Sequence, residues 1–172
     1  MMSEKIKAAL ISLFVLLPLV SCAAPVQLAQ APAFTLNDMT GHQVSLSEYK
    51  GQKAVLLLFF NPKTGGGQDT LLREYLDYYR PTDKLQIIPI VDISEPSAEN
   101  AAGSTQKRLT DLGYPVPLRD EDGSVSQAFR ANSDKLTLVL VDREGRIRFR
   151  EEVTSTADTN AELAEQIKQA TK

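Results

Sequence analysis

The chain has 172 residues, a length that fits one domain with a short additional segment. Its formal net charge is −3 at pH 7, and it has no basic stripe interleaved with aromatic residues, so nucleic acid is excluded as a partner. A single cysteine, Cys22, and a single histidine, His42, exclude an internal disulfide and a His/Cys metal cluster.

The N-terminal segment has the pattern of an export signal. Lys5 and Lys7 precede an apolar run over residues 8–20, which is shorter than the ~20 residues that a membrane-spanning helix needs. The run ends in the tetrapeptide 19–22, Leu-Val-Ser-Cys. This ending resembles the bacterial lipobox, which implies that the thiol of Cys22 is acylated and that Cys22 becomes the first residue of the mature protein.

We therefore predict a signal peptide over 1–21, a lipidated cysteine and tether over 22–31, and one domain over 32–172. By resemblance to lipoprotein sorting, Ala23 in place of Asp favours the periplasmic face of the outer membrane in a bacterium with two membranes. The alternative is an ordinary signal peptide that is cut near Ala24, with Cys22 incidental.

Apolar periodicity predicts the elements of the domain. In chain order they are a strand at 34–36, a half-buried strand with Val44 and Leu46, a strand buried on both faces at 54–60, a helix at 69–80, a buried strand at 85–93 with a bulge at Pro89, a helix at 97–112 with Leu109 and Leu112 inward, an extended piece at 115–118, a helix at 125–130, a hairpin of strands 136–141 and 146–153, and a helix at 158–172 capped by Asp158 or Thr159.

Two buried strands that are joined by a helix imply a parallel crossover, and the hairpin adds antiparallel strands. The sequence therefore predicts an α/β fold with a mixed central sheet and helices on both faces.

Three strings in order are similar to motifs of the thioredoxin-like superfamily, in its redoxin branch of thiol-disulfide oxidoreductases and AhpC/TSA-type peroxiredoxins. They lie at 33–51, at 117–125 (PLRDEDGSV) and at 138–147 (LVLVDREGRI). The resemblance implies a thioredoxin-like fold over 32–172. It also implies a Cys-x-x-Cys loop after the strand 54–60 and a cis-proline just before the penultimate strand.

This chain departs from the family at both places. Alignment on Phe59 and Phe60 puts the two cysteines at Thr64 and Gly67, and alignment on the end of strand 136–141 puts the cis-proline at Leu136. Disulfide exchange and peroxide reduction both need a thiolate, which neither threonine nor glycine supplies. We therefore predict no catalytic residue and no cofactor.

The loop itself suggests a different role. Lys63, Thr64, Gly65 and Gly66 lie between a strand and a helix, where backbone N–H groups attract anions. The spacing of a phosphate loop is absent, so the alternative is a loop whose glycines carry no function.

Three further features have ordinary structural interpretations. His42 lies in a turn without a partner residue, and we expect it to be solvated. Of the tyrosines in the helix 69–80, Tyr75 and Tyr79 fit a core face and Tyr78 fits the outward face. The acidic run 120–122 lacks the further ligands of a Ca²⁺ site and favours a solvated turn.

Three functions are compatible with these patterns. The first is a non-catalytic binding or structural module that is lipid-anchored in the cell envelope, with an envelope protein as its partner. The second is an oxidoreductase relative with lost or residual activity, and the third is a small-anion binder that uses the glycine loop.

Overall fold

A computed structural model describes residues 28–62, 66–155 and 159–172. Its strands are β1 Thr35–Asp38, β2 Gln43–Ser45, β3 Ala54–Phe60, β4 Leu85–Asp92, β5 Leu118–Asp120, β6 Leu136–Val141 and β7 Ile147–Val153. Its helices are a 3-10 helix Leu46–Tyr49 and the α-helices α1 Gly66–Tyr78, α2 Pro96–Asp111, α3 Ser124–Ala128 and α4 Thr159–Ala170. The strands form one sheet in the order β2-β1-β5-β4-β3-β6-β7.

Strand β3 lies inside the sheet and is buried on both faces. It pairs with β4 in parallel along its whole length, and with β6 in the antiparallel sense. All seven of its residues are apolar and buried, as the unbroken run at 54–60 predicts. The parallel crossover through α1 is confirmed.

Helices cover both faces of the sheet. Alternate residues of β3, Leu56 and Leu58 among them, pack into a core with α1, α2 and α4. The other set, including Leu57 and Phe59, packs against Phe34, the 3-10 helix and α3. The prediction of an α/β fold with a mixed sheet and two helical layers is therefore confirmed.

Pro89 lies in β4 without the predicted bulge. Its register with β3 is unbroken, with Pro89 opposite Leu58. On the other side, β5 pairs with β4 only from Ile90 onward. Near Pro89, β4 therefore borders a single strand, which is where a residue without an N–H is tolerated.

Three local predictions are wrong. Helix α1 begins at Gly66 rather than Asp69, because packing of Leu72 and Tyr75 on the sheet offsets the low helix propensity of the glycines. Leu46 lies in a 3-10 helix and not in a strand, because the capping box of Ser45 and Glu48 begins a helix at this position. Leu112 is 55 % exposed instead of inward, because α2 ends one residue before it.

The segment entering the domain runs along the hairpin of β6 and β7. The N–H of Ala31 donates to the carbonyl of Gly145 (2.9 Å), and the N–H of Ile147 donates to the carbonyl of Ala29 (2.8 Å). This hairpin turn lies at the amino end of β3, since Val141 pairs with Val55. Within the described ranges, no helix has the length and apolarity needed to cross a bilayer.

Tyr79, the residue directly after α1, makes the free energy of unfolding depend on pH in the alkaline range. Burial raises the pKa of its hydroxyl to about 12, against about 10 in an unfolded chain. The folded state therefore holds this proton more tightly, and its contribution to stability is lost as the pH rises from about 10 to 12. We expect the free energy of unfolding, from urea titrations at pH 9 and pH 11, to fall less in Tyr79→Phe than in the parent. Tyr78→Phe, at a position that is 63 % exposed, should lessen this fall by a smaller amount than Tyr79→Phe does, and equal falls in all three proteins would contradict the assignment.

Candidate functional site

The carboxyl ends of three parallel strands meet at one edge of the sheet. Strands β3, β4 and β5 run in the same direction and end at Phe60, Asp92 and Asp120. Helix α1 begins just after β3, and α3 begins just after β5. Edges of this kind are the usual position of ligand sites in α/β sheets.

Gln68 connects the start of α1 to two other segments of this edge. Its side chain is 5 % exposed. Its Oε1 accepts from the N–H of Asn61 (3.0 Å), directly after β3. Its Nε2 donates to the carbonyl of Ser133 (3.2 Å), in the segment that leads into β6. One amide side chain thus holds the strand end and the pre-β6 segment against the helix start.

Asp120 is a structural residue that ends β5 and begins the turn into α3. Its side chain is fully buried, and its carboxylate accepts from the N–H groups of Val125 (3.4 Å) and Ser126 (2.6 Å). The prediction of a solvated turn over 120–122 is therefore wrong for Asp120. A carboxylate facing the first N–H groups of a helix stabilises that helix, which explains its burial.

A cleft of about 300 Å³ opens at the same edge, between the ends of β3 and β4, helix α3 and the pre-β6 segment. Phe59 and Phe60 line its apolar side. Its remaining lining is polar or small and consists of Asn61, Asp92, Ser94, Asp122, Gly123, Ser126, Gln127, Ala131, Asn132 and Ser133. Among the residues that the structure describes, this lining has two carboxylates and no basic side chain.

Short turns hold both carboxylates in place. Asp92 Oδ1 accepts from the N–H of Ser94 (3.0 Å), and Asp122 Oδ1 accepts from the N–H of Ser124 (2.9 Å). The side chain and the N–H of Ser124 both donate to Asp122, which lowers the pKa of this carboxyl below its usual value. Asp122 is therefore charged at neutral pH.

Residues 28–150 match the model of the AhpC/TSA family. Alkyl hydroperoxide reductase E of Mycobacterium tuberculosis (strain H37Rv) is 32 % identical over 134 residues, which cover 72 % of this chain and 82 % of that protein. The protein of the same name from Mycobacterium bovis matches equally well. The chain belongs to the AhpC/TSA family.

Solved structures agree on the fold. An uncharacterized conserved protein from Geobacillus kaustophilus superposes with a TM-score of 0.61 at 23 % identity, over 84 % of each chain. The thioredoxin domain of a thiol-disulfide oxidoreductase from Bacteroides vulgatus gives 0.55 at 20 % identity, over 84 % of this chain and 96 % of that one. The thioredoxin-like fold inferred from the three sequence motifs is confirmed.

Part of the predicted site lies in the described residues. Gly66 and Gly67 are the first two residues of α1. Leu136 is the first residue of β6 and is buried, and no peptide bond of the described ranges is cis, including the one before Leu136. Through Gln68 and Ser133, the helix start and the segment leading to Leu136 are joined. Cys22, Lys63, Thr64 and Gly65 lie outside the described residues.

The other candidate residues have simple positions. His42 is exposed in the turn between β1 and β2, where its N–H donates to Asp38 Oδ1. Tyr75 and Tyr79 are buried and Tyr78 is exposed, as the helical pattern predicts. Across the described ranges, no group of three or more His, Cys, Asp or Glu side chains is placed to hold a metal ion.

Sequence reasoning missed Gln68 and Ser126. A glutamine in the first turn of a helix and a serine in a short helix are both ordinary surface patterns. Gln68 is structural because it joins two segments, and one of its partners, Ser133, is 65 residues away in the sequence. The signal that could have found Gln68 is its position next to Gly67, where the resemblance places the family's second cysteine.

We predict that Gln68→Ala lowers the free energy of unfolding by about 1–3 kcal/mol, because two backbone groups at a buried edge lose their partner. Urea denaturation followed by circular dichroism measures this. Gln106→Ala, the same change at a half-buried position of α2, should stay within about 0.5 kcal/mol of the parent. Equal effects of the two substitutions would show that Gln68 does not connect these segments.

Proposed function

We propose that this protein is a lipid-anchored, non-catalytic thioredoxin-fold module of the bacterial cell envelope, which acts by binding an envelope partner or ligand. One observation carries the proposal. The single cysteine of the chain is Cys22, so the domain that follows has the family fold without a thiol. At the start of α1, where the resemblance places a redox cysteine, the residue is Gly67.

The chemistry of the family's thiol enzymes needs sulfur. In peroxide reduction a thiolate takes one oxygen from the hydroperoxide and becomes a sulfenic acid, while the hydroperoxide leaves as an alcohol or water. In disulfide exchange a thiolate attacks a disulfide sulfur and a second thiolate leaves. A domain without cysteine has no thiolate to start either reaction, and acylation of Cys22 would consume the one thiol of the chain.

The course of the N-terminal segment supports attachment through Cys22. Ala29 and Ala31 pair with the hairpin at the amino end of β3, and the cleft lies at the carboxyl end. Residues 23–28 span at most ~20 Å when extended. An anchor at Cys22 would thus hold the hairpin end near the membrane and leave the cleft facing away from it.

The oxidoreductase alternative draws on the relatives. Their names describe alkyl hydroperoxide reductases, and a residual activity would need a reducing group other than a domain thiol. The anion-binding alternative uses Lys63, Thr64, Gly65 and Gly66. The carboxylate of Asp92, in the cleft at the same edge, disfavours an anion there.

We expect Cys22→Ser to move the protein from the membrane fraction to the soluble fraction, and to remove the mass of the acyl chains, because two or three acyl chains provide the attachment. Fractionation and mass spectrometry of the expressed full chain measure both. Ala23→Asp is the matched control, which should stay in the membrane fraction and shift between membranes in a two-membrane host. Membrane attachment of Cys22→Ser would refute the lipid anchor.

We further expect the full chain to consume no hydroperoxide and to reduce no disulfide above a protein-free blank. In a Cys22→Ser background, Gly67→Cys should give a thiol with a pKa below 8.5, because the start of a helix stabilises a thiolate. Leu112→Cys, at the end of α2, should give a thiol that ionises at higher pH. The pH dependence of alkylation by iodoacetamide measures both thiols.

Each measurement has a contradicting result. Hydroperoxide turnover by the parent chain would refute the non-catalytic proposal. Identical alkylation profiles for the two engineered thiols would show that position 67 lacks the electrostatic environment of a redox site.

A further inference from the structure

We propose that the cleft at the carboxyl edge of the sheet binds a small organic cation that carries a primary ammonium group, with Asp92, Asp122 and Ser126 as its polar contacts. This inference rests on the proposed binding function and names the chemical class of the ligand. It comes from three observations on the cleft: its charge, an unpartnered buried hydroxyl, and the shape of its rim.

The charge of the lining is one-sided. Asp92 and Asp122 line the cleft, and none of its described lining residues is Lys, Arg or His. Each uses Oδ1 to fix a backbone N–H of its own turn. A carboxylate has about four lone-pair sites, so both keep acceptor capacity for a ligand. Two fixed negative charges repel an anion and attract a cation.

Ser126 supplies the second observation. Ser126 is one of the residues that line the cleft, and it is 6 % exposed. Its Oγ has no hydrogen-bond partner among the described residues, although a buried hydroxyl without a partner destabilises the fold. The N–H of the same residue is satisfied by Asp120 (2.6 Å), so the backbone that positions this hydroxyl is fixed. A polar group of a ligand would give the hydroxyl its partner.

The rim is kept open at Gly123, between the two carboxylates. Its φ of +71° is a conformation that favours glycine. A Cβ there would lie 3.2 Å from Cβ and Oγ of Ser94 and 3.6 Å from Asp92 Oδ1. Any side chain at this position would therefore crowd the entry beside Asp92.

The composition and size of the cleft define the ligand further. Phe59 and Phe60 give it an apolar side, and the amides of Asn61 and Asn132 add polar groups. A volume of about 300 Å³ is at the small end of ligand pockets. Two carboxylates with an apolar wall beside them suit an organic cation, which can place a charged group against the first and carbon atoms against the second. A primary ammonium has three donors to share among two carboxylates and a hydroxyl.

The test is calorimetric titration of the purified full chain at low ionic strength with ethanolamine and putrescine, and with 1,4-butanediol and succinate as neutral and anionic probes. We expect binding of the two ammonium probes and none of the other two. Asp92→Asn and Asp122→Asn, which keep the oxygen that fixes each turn, should each weaken binding about tenfold. Glu121→Gln, the same loss of charge beside the cleft, should change it less than twofold.

Ser126→Ala separates a binding role from a structural one. Because its hydroxyl has no partner among the described residues, the substitution should leave the melting temperature unchanged or higher, yet weaken binding about tenfold. A fall in melting temperature alongside the loss of binding would make Ser126 a structural residue and refute its role in binding the ligand. Absence of ammonium binding, or equal effects of Asp92→Asn and Glu121→Gln, would overturn the proposal.

These results are independent of the anchoring and activity measurements. If ammonium binding fails while the chain is membrane-attached and redox-inactive, the ligand class is wrong and the proposed function stands. If the parent chain turns over hydroperoxide, the non-catalytic function is wrong whatever the titration gives.

Discussion

The burial of β3 on both faces is the constraint on which the other features depend. A strand of seven apolar residues has to be covered above and below and paired on both edges. Pairing with β4 in parallel requires a crossover helix, and pairing with β6 in the antiparallel sense places the closing hairpin beside it. The direction of β3 then decides which edge of the sheet receives the start of α1 and the cleft, and which edge receives the N-terminal segment.

At the edge that carries redox chemistry in thiol enzymes of this fold, this chain has an amide and two carboxylates. Gln68 bridges the end of β3 and the segment before β6, and it lies next to the position where the resemblance places a cysteine. The replacement of the cysteine changes which negative charge lies near the start of α1. A helix start favours negative charge, and a thiolate would use that field. Here the nearest acidic side chain of the helix, Asp69, pairs with Arg108 of α2 instead.

Membership of a family and retention of its chemistry are separate properties of a chain. The family match extends over residues 28–150, and it reflects strand order, turn chemistry and apolar patterning, which maintain a core. The reaction depends on one or two atoms at a loop. Loss of those atoms costs little stability, so a fold can persist after its reaction has gone and its edge can serve another ligand. The N-terminal segment and the cleft lie at opposite ends of β3.

The sequence alone determined the parts that follow from local pattern. The run 54–60 is apolar throughout because both faces of that strand are buried, and Leu72, Tyr75 and Leu76 recur at helical spacing because one face of α1 is buried. Patterns of this kind, and that of the hairpin 136–153, are visible without coordinates. The absence of a thiol in the domain is a matter of composition. The family motifs, read in order, added the fold.

Only the tertiary structure decided the features that depend on distant partners. Glycines 66 and 67 entered the helix because packing of later residues offsets their low propensity. Asp120 became buried because α3 turned its first N–H groups toward it. Pro89 needed no bulge because the neighbouring strand begins one residue later. Gln68 and Ser126 acquired their surroundings from segments brought together by the sheet, and a one-dimensional pattern does not contain the three-dimensional distances on which such contacts depend.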